Sequence, residues 1–255
     1  MQNKKPLILI SNDDGINAPG LKVLIDAVRH LGEVIAVAPA VPYSGGSSSI
    51  TVNSPLRITP YPDYDGVKMY SVSGTPVDCV KLAMHHIVPR RPDVMFSGIN
   101  HGSNAGSSLI YSGTMGAAME ACMLGIPAVG YSLLDHSLQA DFSETLPIIR
   151  EISAKVIANG LPRLVCLNVN FPAGVRIEGM KVCRAAISHW TEEYKEYIDP
   201  HGKPYYWLTG RIVNEEPDND QTDLYWLDRN HATVVPATVD QNATAQLPEI
   251  AGMLE

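Results

Sequence analysis

The chain has 255 residues, enough for one large α/β domain or a domain with an appendage. Hydrophobic residues make up 45% and charged residues 18%, as in a globular protein, and a net charge of −8 excludes a nucleic-acid binder that needs a basic face. No apolar run approaches the ~20 residues of a membrane span. Cys79, Cys122, Cys166 and Cys183 are widely spaced inside apolar segments, with no CxxC pair, and read as buried free thiols. Residues 1–5 are polar and run straight into a strand with no signal-peptide core, so the expectation is a cytoplasmic protein with no membrane partner.

Residues 7–11, Leu-Ile-Leu-Ile-Ser, form an apolar run of the kind seen in strands covered on both faces. Leu21, Leu24, Ile25, Val28 and Leu31 then recur with a helical period that stops at Gly32, and residues 34–38 return to strand. Thr75-Pro76 opens the next helix with a capping residue and a proline at the first position; Asp78 suits its positive end, and Val80, Ala83, Met84 and Ile87 form its buried stripe. Residues 94–97 are a strand, followed by a long Gly/Ser/Asn loop and a helix of small residues over 114–124. Further strands are predicted at 128–132 and 164–169, with a helix over 143–159 between them that stops at Gly160. This alternation predicts a Rossmann-like, doubly wound, mostly parallel sheet with helices on both faces, covering residues 1–182.

From residue 183 to 255 the character changes. All three tryptophans, Trp190, Trp207 and Trp226, fall there with Tyr194, Tyr197, Tyr205, Tyr206 and Tyr225. The turn residues Asp199-Pro200-His201-Gly202-Lys203 separate two aromatic arms and predict a C-terminal β-hairpin or extended arm. A hairpin cannot bury aromatics alone, so this segment is expected to pack on its own domain or on a neighbouring subunit, with oligomerisation the favoured reading.

Three polar loops follow predicted strands, and in such sheets ligands bind beyond the carboxyl ends of strands. The first carries Asn12-Asp13-Asp14-Gly15, with no Lys or Arg between Pro6 and Leu21 to relieve two adjacent carboxylates. A turn accounts for these residues, but a divalent cation on oxygen ligands accounts for their charge. The second loop contains Pro42-Tyr43-Ser44-Gly45-Gly46, and the third runs from Ser97 through Asn100, His101 and Asn104 to Ser112-Gly113-Thr114. Lys and Arg are absent from residues 92–149, so a phosphate bound here must be met by a metal, backbone N–H groups and a helix N-terminus. Asp13 and Asp14 would roughly neutralise one divalent cation, with Ser44 and Asn100 as neutral oxygen donors.

These pieces, with Ala18-Pro19-Gly20, Ser49-Ile50-Thr51, Ser73-Gly74-Thr75-Pro76 and the rest of the 97–120 block, occur in an order and spacing that resemble the SurE family, with a weaker echo at Thr222-Asp223. The family consists of stationary-phase survival proteins acting as metal-dependent nucleoside 5′-monophosphate phosphatases. The resemblance implies one divalent cation per subunit, Mg²⁺ or Mn²⁺, held by Asp13, Asp14, Ser44 and Asn100. It implies hydrolysis of nucleoside 5′-monophosphates, with 3′-monophosphates and short polyphosphate as further substrates, and a C-terminal arm exchanged between subunits of a homodimer or homotetramer. Asp13 and Asp14 are the expected catalytic residues; Asn104, Ser112, Gly113 and Thr114 are the expected phosphate contacts. Residues 40–43 and Ser107-Ser108 depart from the family pattern, which bears on substrate preference.

His101 is a candidate general acid, although a loop histidine without a known partner is more often structural. His85 and His86 read as structural, and Asp78 as serving its own helix. The chain has no GxGxxG after its first strand, no Walker A motif and no GxSxG elbow, which disfavours dinucleotide oxidoreductase, NTPase and α/β-hydrolase readings. The remaining rival is a nucleotide sensor that binds without turnover.

Overall fold

The computed structural model describes residues 5–137 and 139–255; most of the polar N-terminal stretch, residues 1–4, lies outside them. In chain order the strands are β1 (Leu7–Ser11), β2 (Glu33–Pro39), β3 (Ile58–Tyr64), β4 (Val67–Val72), β5 (Val94–His101), β6 (Ala128–Leu133), β7 (Val165–Phe171), β8 (Gly179–Val182), β9 (Ser188–Thr191), β10 (Tyr194–Ile198), β11 (Pro204–Leu208), β12 (Arg211–Asn214) and β13 (His231–Thr238). The α-helices are α1 (Pro19–Val28), α2 (Pro76–Leu82), α3 (Gly113–Met123), α4 (Leu146–Asn159), α5 (Asp223–Leu227) and α6 (Leu247–Leu254). Among the described residues, nine strands form one sheet in the order β3-β4-β2-β1-β5-β6-β7-β13-β8. Its centre, from β4 through β7, is parallel.

The continuous apolar runs exist because successive side chains face opposite covered layers. Ile8 and Ile10 of β1 join Leu21, Leu24, Ile25, Ile149 and Ile152 in the layer under α1 and α4. Leu7 and Leu9 join Val80, Ala117 and Ala121 under α2 and α3. Fully burying each such Leu or Ile contributes about 1.5–3 kcal/mol, which fixes the strand register because a one-residue slip exchanges the two faces. α2 starts at the predicted cap, Thr75, which the structure extends to a capping box: Thr75 Oγ1 accepts from the Asp78 N–H at 3.1 Å, and Asp78 Oδ2 accepts from the Thr75 N–H at 2.9 Å. α4 ends at Gly160 with φ +70°, as its position predicted. All four cysteines are free, and Cys79, Cys122 and Cys166 are buried.

Two features differ from the sequence reading. The antiparallel pair β3–β4, joined by Asp65-Gly66 with positive φ at both residues, forms a sheet edge that was not predicted. The expected boundary at 182/183 also does not divide the chain cleanly. β13 returns to the sheet between β7 and β8, burying Ala232, Val234, Val235 and Ala237. The aromatic hairpin is present as β10 paired with β11, and β9 pairs with β12 at its base. Tyr194, Tyr206 and Trp207 are exposed, Trp207 to 63%.

β1 lies between β2 and β5 and is parallel to both. The chain therefore leaves β1 toward one side of the sheet and later builds on the other, which opens a crevice at the carboxyl end of β1. All three polar loops converge there.

Candidate active site

The turn after β1 is closed by Asn12, whose Nδ2 donates to the Gly15 carbonyl at 2.9 Å. This leaves the two carboxylates projecting from the strand end. Asp13 is only 4% exposed. Thr114 Oγ1 donates to Asp13 Oδ1, and the Thr114 backbone N–H also supports the carboxylate. Burial pushes the Asp13 pKa up to about 6; the Thr114 hydroxyl opposes the rise and the charge of Asp14 adds to it. Asp14 is half-buried and accepts the His101 N–H at 3.0 Å. Burial raises its pKa as well, countered by that N–H and by the imidazoles of His101 and His136. Among the described residues, neither carboxylate pairs with Lys or Arg.

The start of α3 lies directly against this pair. Ser112 is its N-cap, with Oγ accepting the Met115 N–H at 3.0 Å. At Gly113 a Cβ would stand 2.8 Å from Asp13 Cβ and 2.9 Å from its Oδ2, so only glycine lets the helix end meet the carboxylate. The positive end of α3 thus faces Asp13. The second loop is tied to the same point: the Tyr43 N–H donates to the Asp13 carbonyl at 2.8 Å, which brings the exposed Ser44 beside the pair. Ser47 anchors this loop over α3 through its N–H to Tyr111 O at 3.0 Å and its Oγ to Ile110 O at 2.7 Å. Gly116 makes room for it, since a Cβ there would be 2.3 Å from Ser47 O.

The β5–β6 register shifts between Ser97 and Asn100. Asn100 Nδ2 donates to Gly102 O at 2.8 Å, which orients the side-chain oxygen as its free end. Two adjacent acids, a carboxamide oxygen and a serine hydroxyl are a donor set for a hard cation. A buried and a half-buried carboxylate side by side, with no Lys or Arg partner among the described residues, are the observation that fits an ion here. Among the described residues there is no group of three or more His, Cys, Asp or Glu, so any ion relies on neutral donors to complete its shell.

Other expected residues have different surroundings. Asn104 is buried; its N–H donates to Asn170 Oδ1 at 2.9 Å, its Nδ2 to Ser132 Oγ at 2.8 Å, and its carbonyl accepts Asn168 Nδ2 at 2.8 Å. Its amide nitrogen is thereby engaged by the protein, and these bonds tie the loop to β6 and β7. The Thr114 hydroxyl and backbone N–H are both committed to Asp13, leaving the Gly113 end of the helix as the anion-facing part. His101 Nδ1 lies 2.9 Å from Ser137 O, its ring meets Phe142 edge-on at 5.2 Å, and its Nε2 is buried without a protein partner. The ring is packed into the fold, while its backbone N–H serves Asp14. Asp78 caps its own helix and also accepts the Thr51 N–H at 3.2 Å. His136 was not foreseen: a Cβ at Gly102 would lie 2.3 Å from His136 Cε1, so the imidazole sits on the third loop near Asp14. Its position after β6 was the only available signal.

The family model described as "Survival protein SurE" matches residues 8–192. The protein named 5′-nucleotidase SurE in Christiangramia forsetii is 50% identical over 95% of this chain and 95% of its own. Its namesake in Phocaeicola vulgatus is 45% identical over 98% of this chain and 97% of its own. Among solved structures, the crystal structure of the SurE protein from Aquifex aeolicus superposes with a TM-score of 0.83 at 33% identity, covering 98% of this chain and 100% of that one.

Proposed function

From a chain that belongs to the survival protein SurE family, we propose a 5′-nucleotidase that hydrolyses nucleoside 5′-monophosphates to nucleoside and phosphate with the help of a divalent cation. One observation carries the reading: an acidic couple with no Lys or Arg partner among the described residues, Asp13 and Asp14, packs against the N-terminus of α3 at Gly113. A cation-binding group and an anion-binding group thus share one crevice, as the phosphate of a metal-bound substrate requires.

Asp13, Asp14, Ser44 and Asn100 would hold Mg²⁺ or Mn²⁺, one per subunit. When bound, the ion supplies Lewis acidity, neutralising phosphoryl charge and making water a competent nucleophile near neutral pH. Asp13 is held still by Thr114, so its part is to ligate. Asp14 is the more open carboxylate and orients or deprotonates the attacking water. Ser112, Gly113 and Thr114 meet the phosphate through the Ser112 hydroxyl and the helix N–H groups, holding it for in-line displacement. Asn104 contributes by fixing the loop that leads to them. 3′-Monophosphates and short polyphosphate chains share the terminal phosphoryl group these donors meet, and are further substrates in this reading.

The exposed aromatics of β10–β11 and the exposed Leu247, Ile250, Met253 and Leu254 of α6 suit burial against further copies of the chain in a homodimer or homotetramer. Among the described residues, no helix is long and apolar enough to cross a membrane. The substrate is a small nucleotide handled in the cytoplasm rather than a nucleic-acid polymer.

The test is phosphate release from a panel of nucleoside 5′- and 3′-monophosphates and tripolyphosphate, each with Mg²⁺, Mn²⁺ or EDTA. Release from 5′-monophosphates that stops in EDTA is expected. Nucleotide binding without release under any metal would replace the enzyme reading with that of a sensor.

A further inference from the structure

Another buried carboxylate stands behind the crevice. Asp223, the first residue of α5, is fully buried. Its Oδ1 accepts the N–H groups of Ala186 and Leu224, each at 2.8 Å, and its Oδ2 accepts the N–H of Gly106 at 2.8 Å. Burial raises its pKa and only backbone N–H groups oppose the rise. Gly106 begins the 3₁₀ turn Gly106–Tyr111, which runs directly into Ser112, the cap of α3.

Ser188 of β9 makes a second contact to the same turn. The Ser107 N–H donates to Ser188 Oγ at 2.9 Å, and the two hydroxyls are 3.0 Å apart. Gly106 has φ +55°, and a Cβ there would stand 2.5 Å from Ser188 Oγ and 3.3 Å from Leu224 Cδ1. The segment from residue 184 to 224 therefore grips the third loop from behind. Hydrogen bonds to an ionised acceptor are short and about twice as strong as neutral ones, which suits a carboxylate used to hold backbone in place.

We infer that Asp223, assisted by Ser188, is a positioning residue for the phosphate-binding turn. Together they fix Gly106 and Ser107, and through the 3₁₀ turn they set Ser112, Gly113 and Thr114 against Asp13. This rests on the nucleotidase reading above. It also gives the C-terminal region a part in catalysis besides oligomerisation, because β9 is both the base of the aromatic hairpin and the element that bonds Ser107.

The variant Asp223→Asn turns an amide NH₂ toward one of the N–H groups that the carboxylate now accepts. With Mg²⁺ present, the dissociation constant for inorganic phosphate should rise about tenfold and kcat should fall roughly 10- to 100-fold, the cost of small misplacement at a reacting centre. Hydrogen exchange at the amides of residues 106–112 should quicken at least about tenfold, as expected of a locally opened segment, with β1 and β7 unchanged. If Asp223→Asn does not fold, Gly106→Ala makes the same test by driving a Cβ onto Ser188 Oγ; the same losses are expected, and Ser188→Ala in the same chain should recover part of them. Loop exchange and phosphate affinity within twofold of wild type in a folded variant would overturn the inference. So would faster exchange throughout the sheet, which marks a merely structural role. Failure of the nucleotidase reading shows separately, as wild-type protein that releases no phosphate, since exchange and phosphate binding need no turnover.

Discussion

Replacing Asp13 with Asn should stabilise the metal-free protein while abolishing its activity. The Asp13 carboxyl is moved from 3.8 to about 6 by burial and by its acidic neighbour. Its folded-state pKa lies above its unfolded one, so the stability it contributes is complete below about 3.8 and is lost as pH rises through about 6. Above that window the ionised group costs about 3 kcal/mol, the free-energy equivalent of that displacement. Asn removes the charge but also one of the acceptors that face Thr114, so a net gain of about 1–3 kcal/mol is expected at pH 7.5. For a chain of this size that is a rise of about 2–6 °C in Tm. Thermal melts followed by circular dichroism in EDTA, at pH 7.5 and at pH 3.5, read the effect directly: a gap at the higher pH and none at the lower. Adding Mg²⁺ or Mn²⁺ at about a hundred times Kd should stabilise wild type by about 2.7 kcal/mol and leave the variant unmoved, closing or reversing the gap. A folded Asp13→Asn protein no more stable than wild type in EDTA at pH 7.5 would refute the claim that this carboxylate is held at a cost for function.

Three further predictions concern the surroundings. Gly116→Ala places a Cβ 2.3 Å from Ser47 O and should push the second loop off α3; isothermal titration should find Mn²⁺ bound at least about tenfold more weakly, because Ser44 is carried away with it. Thr75→Ala removes the cap of α2 and the 2.7 Å hydrogen bond to Ser49 O, and should lower stability by about 1–2 kcal/mol in urea unfolding. Tyr206→Ser combined with Trp207→Ser removes aromatic surface exposed in the protomer; light scattering should show a smaller oligomer, with little change in the far-ultraviolet spectrum.

The sheet was readable because its period and its punctuation agree. Continuous apolar runs marked strands covered on both faces, and Thr75-Pro76 and Gly160 marked helix ends by chemistry that acts within a few residues. β3 escaped because Pro60 and Pro62 argue against a strand, and an edge strand tolerates them. Its partner was signalled only by Asp65-Gly66, a hairpin turn pair. β13 contains Pro236 yet sits inside the sheet; β8 pairs only as far as Val234, so the proline falls where that side of the strand is already free. At the site, the acidic pair and Ser112-Gly113-Thr114 were legible as types of residue. Their packing, with Gly113 against Asp13, required the fold. Asn104 reads as a phosphate contact because a loop asparagine advertises donors; in the fold its Nδ2 donates to Ser132 Oγ, and its backbone is held by Asn168 and Asn170, more than sixty residues away. The grip of Asp223 on Gly106 spans 117 residues and has no local signature at all.

The central claim is that Asp13 and Asp14 together hold one cation that works on a nucleotide phosphate. Its most direct test is Mn²⁺ binding by electron paramagnetic resonance, with phosphate release from a nucleoside 5′-monophosphate measured on the same samples of wild type and Asp14→Asn. The account predicts about one Mn²⁺ per wild-type subunit, release proportional to its occupancy, and loss of both in a variant that remains folded. Full turnover by Asp14→Asn, or by wild type with no ion bound, would contradict it.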